Sequence, residues 1–196
     1  MTDIEALLER ALALGDEGRW QEMAELLAGA LEDAPDDPYL LCWLGVAERE
    51  LGNEGAAYDD FKGCLAQDPV DPQLLALAGS GVAAFDDPDA EAALRAAALT
   101  GPELPFTRLQ YGAYLAREGL FDEAIEHLRA AVSLAPDDPA MHGELGIALA
   151  LKGDLASAAD AMEEALAHAP DDSWTRVLLG LVYVELDRLD SAAEML

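Results

Sequence analysis

The sequence predicts an all-α solenoid of about six consecutive helix pairs, because three kinds of residue recur along the chain with one period of 33 or 34 residues. The first is a proline that follows an apolar helical stretch by a few residues. These prolines are Pro35, Pro69, Pro102, Pro136 and Pro170. Their spacings are 34, 33, 34 and 34 residues, a regularity that an ordinary Ala-rich helix bundle would not require.

Two further markers keep the same period. One is a glycine preceded by Leu, Ala or Tyr, found at Gly45, Gly79, Gly112, Gly146 and Gly180. The other is an alanine followed four residues later by a larger apolar residue, found at Ala57 and Phe61, Ala90 and Leu94, Ala124 and Leu128, Ala158 and Met162, and Ala192 and Leu196. Glycine inside a helix costs about 1 kcal/mol relative to alanine, so its recurrence predicts that the two helices of each pair cross closely.

These motifs resemble the tetratricopeptide repeat, whose Leu-Gly, Ala-x3-Phe and closing Pro are matched by Leu44-Gly45, Ala57 to Phe61, and Pro69. The resemblance covers nearly the whole chain. It implies a right-handed α-α superhelix that forms a single domain over residues 1–196. It also implies helix pairs at about 4–37, 38–71, 72–104, 105–138, 139–172 and 173–196, the last of them incomplete.

The turns between helices carry residues suited to starting or ending a helix. Asp37, Asp71 and Asp138 each precede a proline, which predicts an N-cap followed by Pro in the first helical turn. Within the pairs we expect turns at Gly18, Gly52, Gly119 and Gly153, with Asp187 in place of glycine in the last pair. The third unit is one residue short and has Phe85-Asp86-Asp87-Pro88 at its internal turn, where we expect a distorted geometry.

The charge is strongly acidic, with 40 Asp and Glu against 11 Lys and Arg and a formal net charge of −29. Such a surface repels phosphate backbones and anionic lipids, so we expect neither nucleic acid nor membrane as a partner. The acidity fits either a solvated surface suited to high salt or a basic partner. Acidic residues interrupt the first 20 positions where a secretory signal would be apolar, so we expect a cytoplasmic protein.

The two cysteines, Cys42 and Cys64, lack CxxC spacing and fall at apolar helical positions, which predicts reduced structural thiols. The three histidines lie on different helices without a catalytic or metal-binding motif. We therefore expect no enzymatic activity, no catalytic or metal site and no cofactor.

In tetratricopeptide proteins the first helix of each pair lines a concave groove, so the resemblance implies where a partner would bind. The corresponding positions here are Tyr39, Val46, Arg49, Phe106, Leu109, Ala113, Arg117, Ile147, Leu151, Trp174, Val177 and Leu181. Most of them are apolar, which indicates a protein or peptide partner with an apolar or amphipathic segment. The alternative is that these side chains simply pack against neighbouring helices.

The resulting functional hypothesis is a scaffold or adaptor that binds a partner segment in its groove. Two alternatives stay open. One is a secretion-type or assembly chaperone for an apolar segment. The other is a structural module of a larger protein, which self-associates through its C-terminal end, where Leu189, Ala193 and Leu196 lack an obvious cover.

Overall fold

The structure, a computed structural model, describes residues 3–195. This part of the chain forms twelve α-helices and contains no β-strand, which confirms the all-α class and the helical-repeat architecture. It divides into two compact units, Met1–Gly101 and Pro102–Leu196. The single domain expected over residues 1–196 stays a prediction, and Leu196, the last periodic marker, lies outside the described residues.

The first unit consists of three helix pairs. Its helices are α1 Asp3–Asp16, α2 Trp20–Leu31, α3 Pro38–Glu50, α4 Glu54–Leu65, α5 Pro72–Ala83 and α6 Asp89–Thr100. Each helix packs against the next one along the chain, and α3 also packs against α5. Cys42 and Cys64 are both fully buried free thiols on α3 and α4, as the sequence predicts.

The second unit has the same arrangement. Its helices are α7 Pro105–Arg117, α8 Phe121–Leu134, α9 Pro139–Lys152, α10 Leu155–His168, α11 Ser173–Glu185 and α12 Leu189–Met195. Consecutive helices pack against each other, and α7 also packs against α9.

The predicted caps at Asp37, Asp71 and Asp138 are confirmed, since each carboxylate accepts a hydrogen bond from a backbone N–H in the first turn of its helix. Asp172 caps α11 in the same way, with the N–H of Trp174 donating at 3.0 Å. Capping and favourable interaction with the helix dipole therefore account for several of the acidic residues.

The turns inside the pairs follow the prediction as well. Each of the four predicted turn glycines has a positive φ, between 70° and 91°, and Asp187 takes that role in the last pair with a φ of 58°. The α5–α6 turn is the exception. It spans residues 84–88, whereas the α3–α4 turn needs only residues 51–53, so the distorted turn expected at Phe85–Pro88 is present.

The periodic glycines allow the two helices of a pair to cross closely. A Cβ atom on Gly45 would lie 2.9 Å from the ring of Phe61, and one on Gly146 would lie 2.6 Å from Cγ of Met162. Both distances are shorter than a normal van der Waals contact. The close crossing predicted from the repeating Gly and Ala positions is therefore confirmed.

Candidate functional site

An apolar cleft lies between α9 and α11 in the second unit, with α10 forming its floor. It has a volume of about 400 Å³. The residues that line this α9–α11 cleft are Ile147, Ala150 and Leu151 from α9, Leu155 and Met162 from α10, and Leu178, Leu181, Val182, Val184 and Glu185 from α11.

The cleft lies on the C-terminal side of the point where α9 and α11 approach each other. Near their N-terminal ends the two helices are close, since a Cβ atom on Gly143 would lie 3.8 Å from Oγ1 of Thr175. The α9 and α11 residues that line the cleft all follow Gly143 and Thr175 in their helices, and α9 makes less contact with α11 than α7 makes with α9. The fifth and sixth helix pairs therefore leave a space between their first helices.

Large apolar side chains remain open to solvent at this cleft. Leu151 is 57%, Leu181 53% and Val184 44% exposed. Met162 at the floor is 1% exposed and belongs to the core. The cleft therefore combines a packed base with walls that another apolar group could cover.

A polar contact fixes α11 against α10 beside the cleft. The hydroxyl of Tyr183 donates a hydrogen bond to Oε1 of Glu163 at 2.6 Å. Burial and this carboxylate raise the pKa of Tyr183 to about 12, so the hydroxyl stays protonated and keeps donating at neutral pH. The guanidinium of Arg188 lies over the Tyr183 ring, 4.3 Å from its centroid.

The structure brings only some of the predicted groove residues together. Ile147, Leu151 and Leu181 line the cleft. Trp174 and Val177 are exposed on α11, at 65% and 41%, but they do not line it. Their contact with a partner stays a prediction.

Two predicted groove residues, Val46 and Leu109, lie in the core, because they are only 7% and 8% exposed. For these two the alternative interpretation, packing against neighbouring helices, describes the structure better. The repeat pattern identifies the helix that carries them but does not give the exposure of each side chain.

The other predicted residues lie on helices outside the cleft. Phe106 and Ala113 are half-buried on α7. The hydroxyl of Tyr39 donates to the Asp71 carboxylate at 3.1 Å. Arg49 and Arg117 each place a guanidinium near an aromatic ring, 5.7 Å and 5.3 Å from the ring centroids.

Among the lining residues that sequence reasoning did not assign to the groove are Leu155, Leu178 and Glu185. A signal for two of them was available. Leu178 and Glu185 are seven residues apart and share a helical face with Leu181. Leu155 is the first residue of α10, and only the packing of α10 beneath the cleft reveals its position.

The cleft has no positive charge among its lining residues, whereas Glu185 contributes a carboxylate. Lys152, at the end of α9, forms an ion pair with Asp122. Arg176 on α11 donates to the carbonyl oxygen of Pro170. These nearby basic side chains thus have other partners, and Glu185 is the one charged group among the lining residues.

Within residues 3–195 no group of three or more His, Cys, Asp or Glu side chains is placed to hold a metal ion. His142 and His168 stack with ring centroids 5.8 Å apart, and His142 contacts the carbonyl oxygen of Pro136 at 2.7 Å. None of the helices in this part of the chain is long and apolar enough to cross a membrane.

Comparison with known families now adds to this geometry. A tetratricopeptide repeat model matches residues 8–72 and 112–173, which together make up more than half of the chain. The chain belongs to the tetratricopeptide repeat family. Proteins of this family bind protein or peptide partners and generally act as non-catalytic interaction scaffolds. A comparison with curated protein sequences gave no significant match.

Solved structures of other tetratricopeptide proteins resemble this chain over most of its length. TTC0263 from Thermus thermophilus is 25% identical, has a TM-score of 0.72, and is matched over 92% of this chain and 98% of its own. PilW, a type IV pilus biogenesis factor, is 17% identical with a TM-score of 0.85, over 100% and 91%. YrrB, a tetratricopeptide protein with an unusual peptide-binding site, is 20% identical with a TM-score of 0.63, over 93% and 91%. At these identities the likeness to PilW and YrrB shows the fold alone.

Proposed function

We propose that this tetratricopeptide protein is an interaction scaffold that binds an apolar segment of a partner protein in the α9–α11 cleft. The observation that carries the proposal is the exposure of Leu151, Leu181 and Val184 around one concave space. Covering a half-exposed leucine with another apolar group is worth about 1 kcal/mol, so these walls favour association. The predicted groove residues that line the cleft, Ile147, Leu151 and Leu181, belong to this proposal.

Capture of partners from a lysate of the source cells tests it, using wild-type protein and two wall variants, Leu151→Gln and Leu181→Gln. Glutamine keeps a similar volume but makes the wall polar. Leu120→Gln is the matched control, since Leu120 is 49% exposed in the same unit and does not line the cleft. We expect the wild type and the control to retain the same proteins and both wall variants to lose them.

Equal capture by all four proteins would overturn the proposal, provided that circular dichroism shows the same helicity for each. Because Leu151 and Leu181 are more than half exposed, the substitutions remove little core packing and the variants should fold.

Self-association is a second candidate, favoured by the exposure of Trp174 on α11 and Leu189 on α12, at 65% and 60%. Light scattering over a concentration series tests it. A rise in molar mass that Trp174→Ser and Leu189→Ser abolish would support it, and a constant monomer mass would exclude it.

A further inference from the structure

We infer that the segment held in the α9–α11 cleft is an amphipathic helix that carries Lys or Arg beside its apolar face. This inference rests on the proposed function, because it specifies the partner of the same cleft.

The walls favour a helix over an extended strand. They consist of side chains from three helices, and nine of the ten lining residues are Ala, Ile, Leu, Met or Val. An extended segment pressed against such walls would lose water from its own N–H and C=O groups without gaining hydrogen bonds in return. A helix pairs these groups internally and presents only side chains, so it can cover the walls without that cost.

The charged group at the rim of the cleft, Glu185, favours a basic partner segment. Glu185 lines the cleft and makes no ion pair among residues 3–195. Three basic side chains lie within three residues of a lining residue: Lys152 pairs with Asp122, Arg188 lies 3.9 Å from Glu163, and Arg176 donates to the carbonyl oxygen of Pro170. A Lys or Arg of the partner would therefore meet a carboxylate that forms no ion pair within residues 3–195.

The helix dipoles act in the same direction. All but one of the α9 and α11 residues that line the cleft lie in the C-terminal halves of these helices, and Glu185 is the last residue of α11. The C-terminal end of a helix carries partial negative charge on its last carbonyl groups, which attracts cations. Of the two helix ends near the cleft, that of α9 already carries Lys152, whereas that of α11 lies at Glu185 and adds its partial negative charge to the carboxylate.

The net charge of the whole chain also favours a basic partner, but it does not determine where on the surface that partner binds. A formal net charge of −29 accelerates the approach of any basic segment and makes its binding depend on salt. A basic peptide could therefore bind weakly at many places on this surface. A test must separate attraction to the surface in general from binding in the cleft.

Fluorescence anisotropy with three synthetic helical peptides of roughly 18 residues, or five helical turns, provides this test. The first peptide has leucines on one face and lysines beside them. The second replaces the lysines with glutamines, and the third keeps the lysines but replaces the leucines with serines. Each is titrated with the wild-type protein and with the variants Leu181→Gln, Glu185→Gln and Glu164→Gln.

Glu164→Gln is the control for charge, because Glu164 is exposed on α10, does not line the cleft, and loses the same single charge as Glu185→Gln. We expect the Leu-Lys peptide to bind the wild type best. Glu185→Gln should weaken its binding about threefold, as expected for loss of one exposed charge pair and its local field. Leu181→Gln should weaken it about tenfold or more, and Glu164→Gln should leave it within error of the wild type.

Three outcomes would overturn the inference. Equal binding of the Leu-Lys and Leu-Gln peptides, both weakened by Leu181→Gln, would reject the basic partner while leaving the cleft as the binding site. Equal binding of the Leu-Lys peptide to all four proteins would assign it to the acidic surface in general. No binding of the Leu-Lys peptide would reject the partner class, and the lysate capture experiment would still decide the proposed function separately.

Discussion

The aromatic ring of Phe61 on α4 lies against the bare backbone of Gly81 on α5, so closely that a Cβ atom on Gly81 would overlap the ring. The opposite edge of the ring faces Gly45 on α3, where a Cβ atom would lie 2.9 Å away. Phe61 is 1% exposed. Two glycines from neighbouring helix pairs therefore hold one buried ring between them.

The first prediction concerns Gly81→Ala, which we expect to lower the free energy of unfolding by about 2 kcal/mol, because the enclosed ring has no space into which it can move. Gly29→Ala is the matched control. Gly29 lies inside α2, and a Cβ atom there would meet no neighbouring group of residues 3–195 within 4 Å. Alanine at that position should therefore raise the free energy of unfolding by roughly 0.5–1 kcal/mol through helix propensity. Urea denaturation of both variants measures the difference. Equal stabilisation by the two substitutions would contradict the close packing of Phe61.

The repeat pattern anticipates part of this arrangement. Gly45 belongs to the periodic glycines, and its close approach to the second helix of its pair could be predicted from spacing alone. Gly81 breaks the pattern, since the corresponding positions of the other units hold larger residues. The residue that could have predicted the glycine at position 81 is Phe61. The equivalent marker positions of other units hold Leu94, Leu128 and Met162, and the wider phenyl ring needs the space that Gly81 provides.

For the cleft, the sequence identifies the helices better than the side chains. Ile147, Leu151 and Leu181 were placed on the first helices of their pairs and do line the cleft. Val46 occupies the register of Ile147 and Leu181 in an earlier repeat and is buried. This difference in exposure depends on how far apart neighbouring first helices lie. Tertiary packing sets that separation, and the spacing of the repeats does not predict it.

The second prediction concerns the carboxylate of Asp87 in the irregular α5–α6 turn. It accepts hydrogen bonds from Nζ of Lys62 at 2.8 Å and from the hydroxyl of Tyr58 at 2.8 Å, and its side chain is 5% exposed. Asp87→Asn should lower the free energy of unfolding at pH 7 by about 2 kcal/mol, since a charged partner of a buried hydrogen-bond network is lost. Asp86→Asn, in the same turn but exposed, is the control. Equal Tm values for the two variants in thermal melts would contradict this role of Asp87.

The effect of Asp87→Asn on the free energy of unfolding should also depend on pH in the acidic range. Lys62, the N–H of Asp89 and Tyr58 lower the pKa of Asp87 to about 2 from an ordinary value of 3.8. A carboxyl whose pKa is lower in the folded state stabilises the fold above its unfolded pKa and loses that contribution as the pH falls toward the folded value. The stability difference between wild type and Asp87→Asn should therefore shrink between roughly pH 4 and pH 2.

The third prediction concerns repulsion among the acidic residues. With a formal net charge of −29, the folded chain holds many like charges closer together than the unfolded chain does. Raising KCl from roughly 0.05 to 0.5 M shortens the screening length, so we expect Tm to rise by several degrees. Choline chloride at the same ionic strength should have the same effect. An unchanged Tm in both salts would show that self-repulsion does not limit stability and would remove the support for a surface suited to high salt.

The fourth prediction concerns Asp60 on α4, whose pKa is shifted in the opposite direction to that of Asp87. Burial, and then the negative charges of Glu48 and Asp59, raise the pKa of Asp60 to about 6. For an acid with a raised pKa the folded state holds its proton more tightly than the unfolded state. Ionisation therefore destabilises the fold as the pH rises from the unfolded value toward the folded one.

Asp60→Asn removes this ionisation, so it should raise the free energy of unfolding at pH 8 by about 1 kcal/mol, allowing for partial screening by solvent. The gain should vanish below roughly pH 4, where Asp60 is protonated in both states. Glu50→Gln is the control, since it removes one exposed charge from α3 and should give a small change. Urea denaturation at pH 4, 6 and 8 measures both variants. If Asp60→Asn raises the free energy of unfolding equally at all three pH values, ionisation of Asp60 does not destabilise the folded protein.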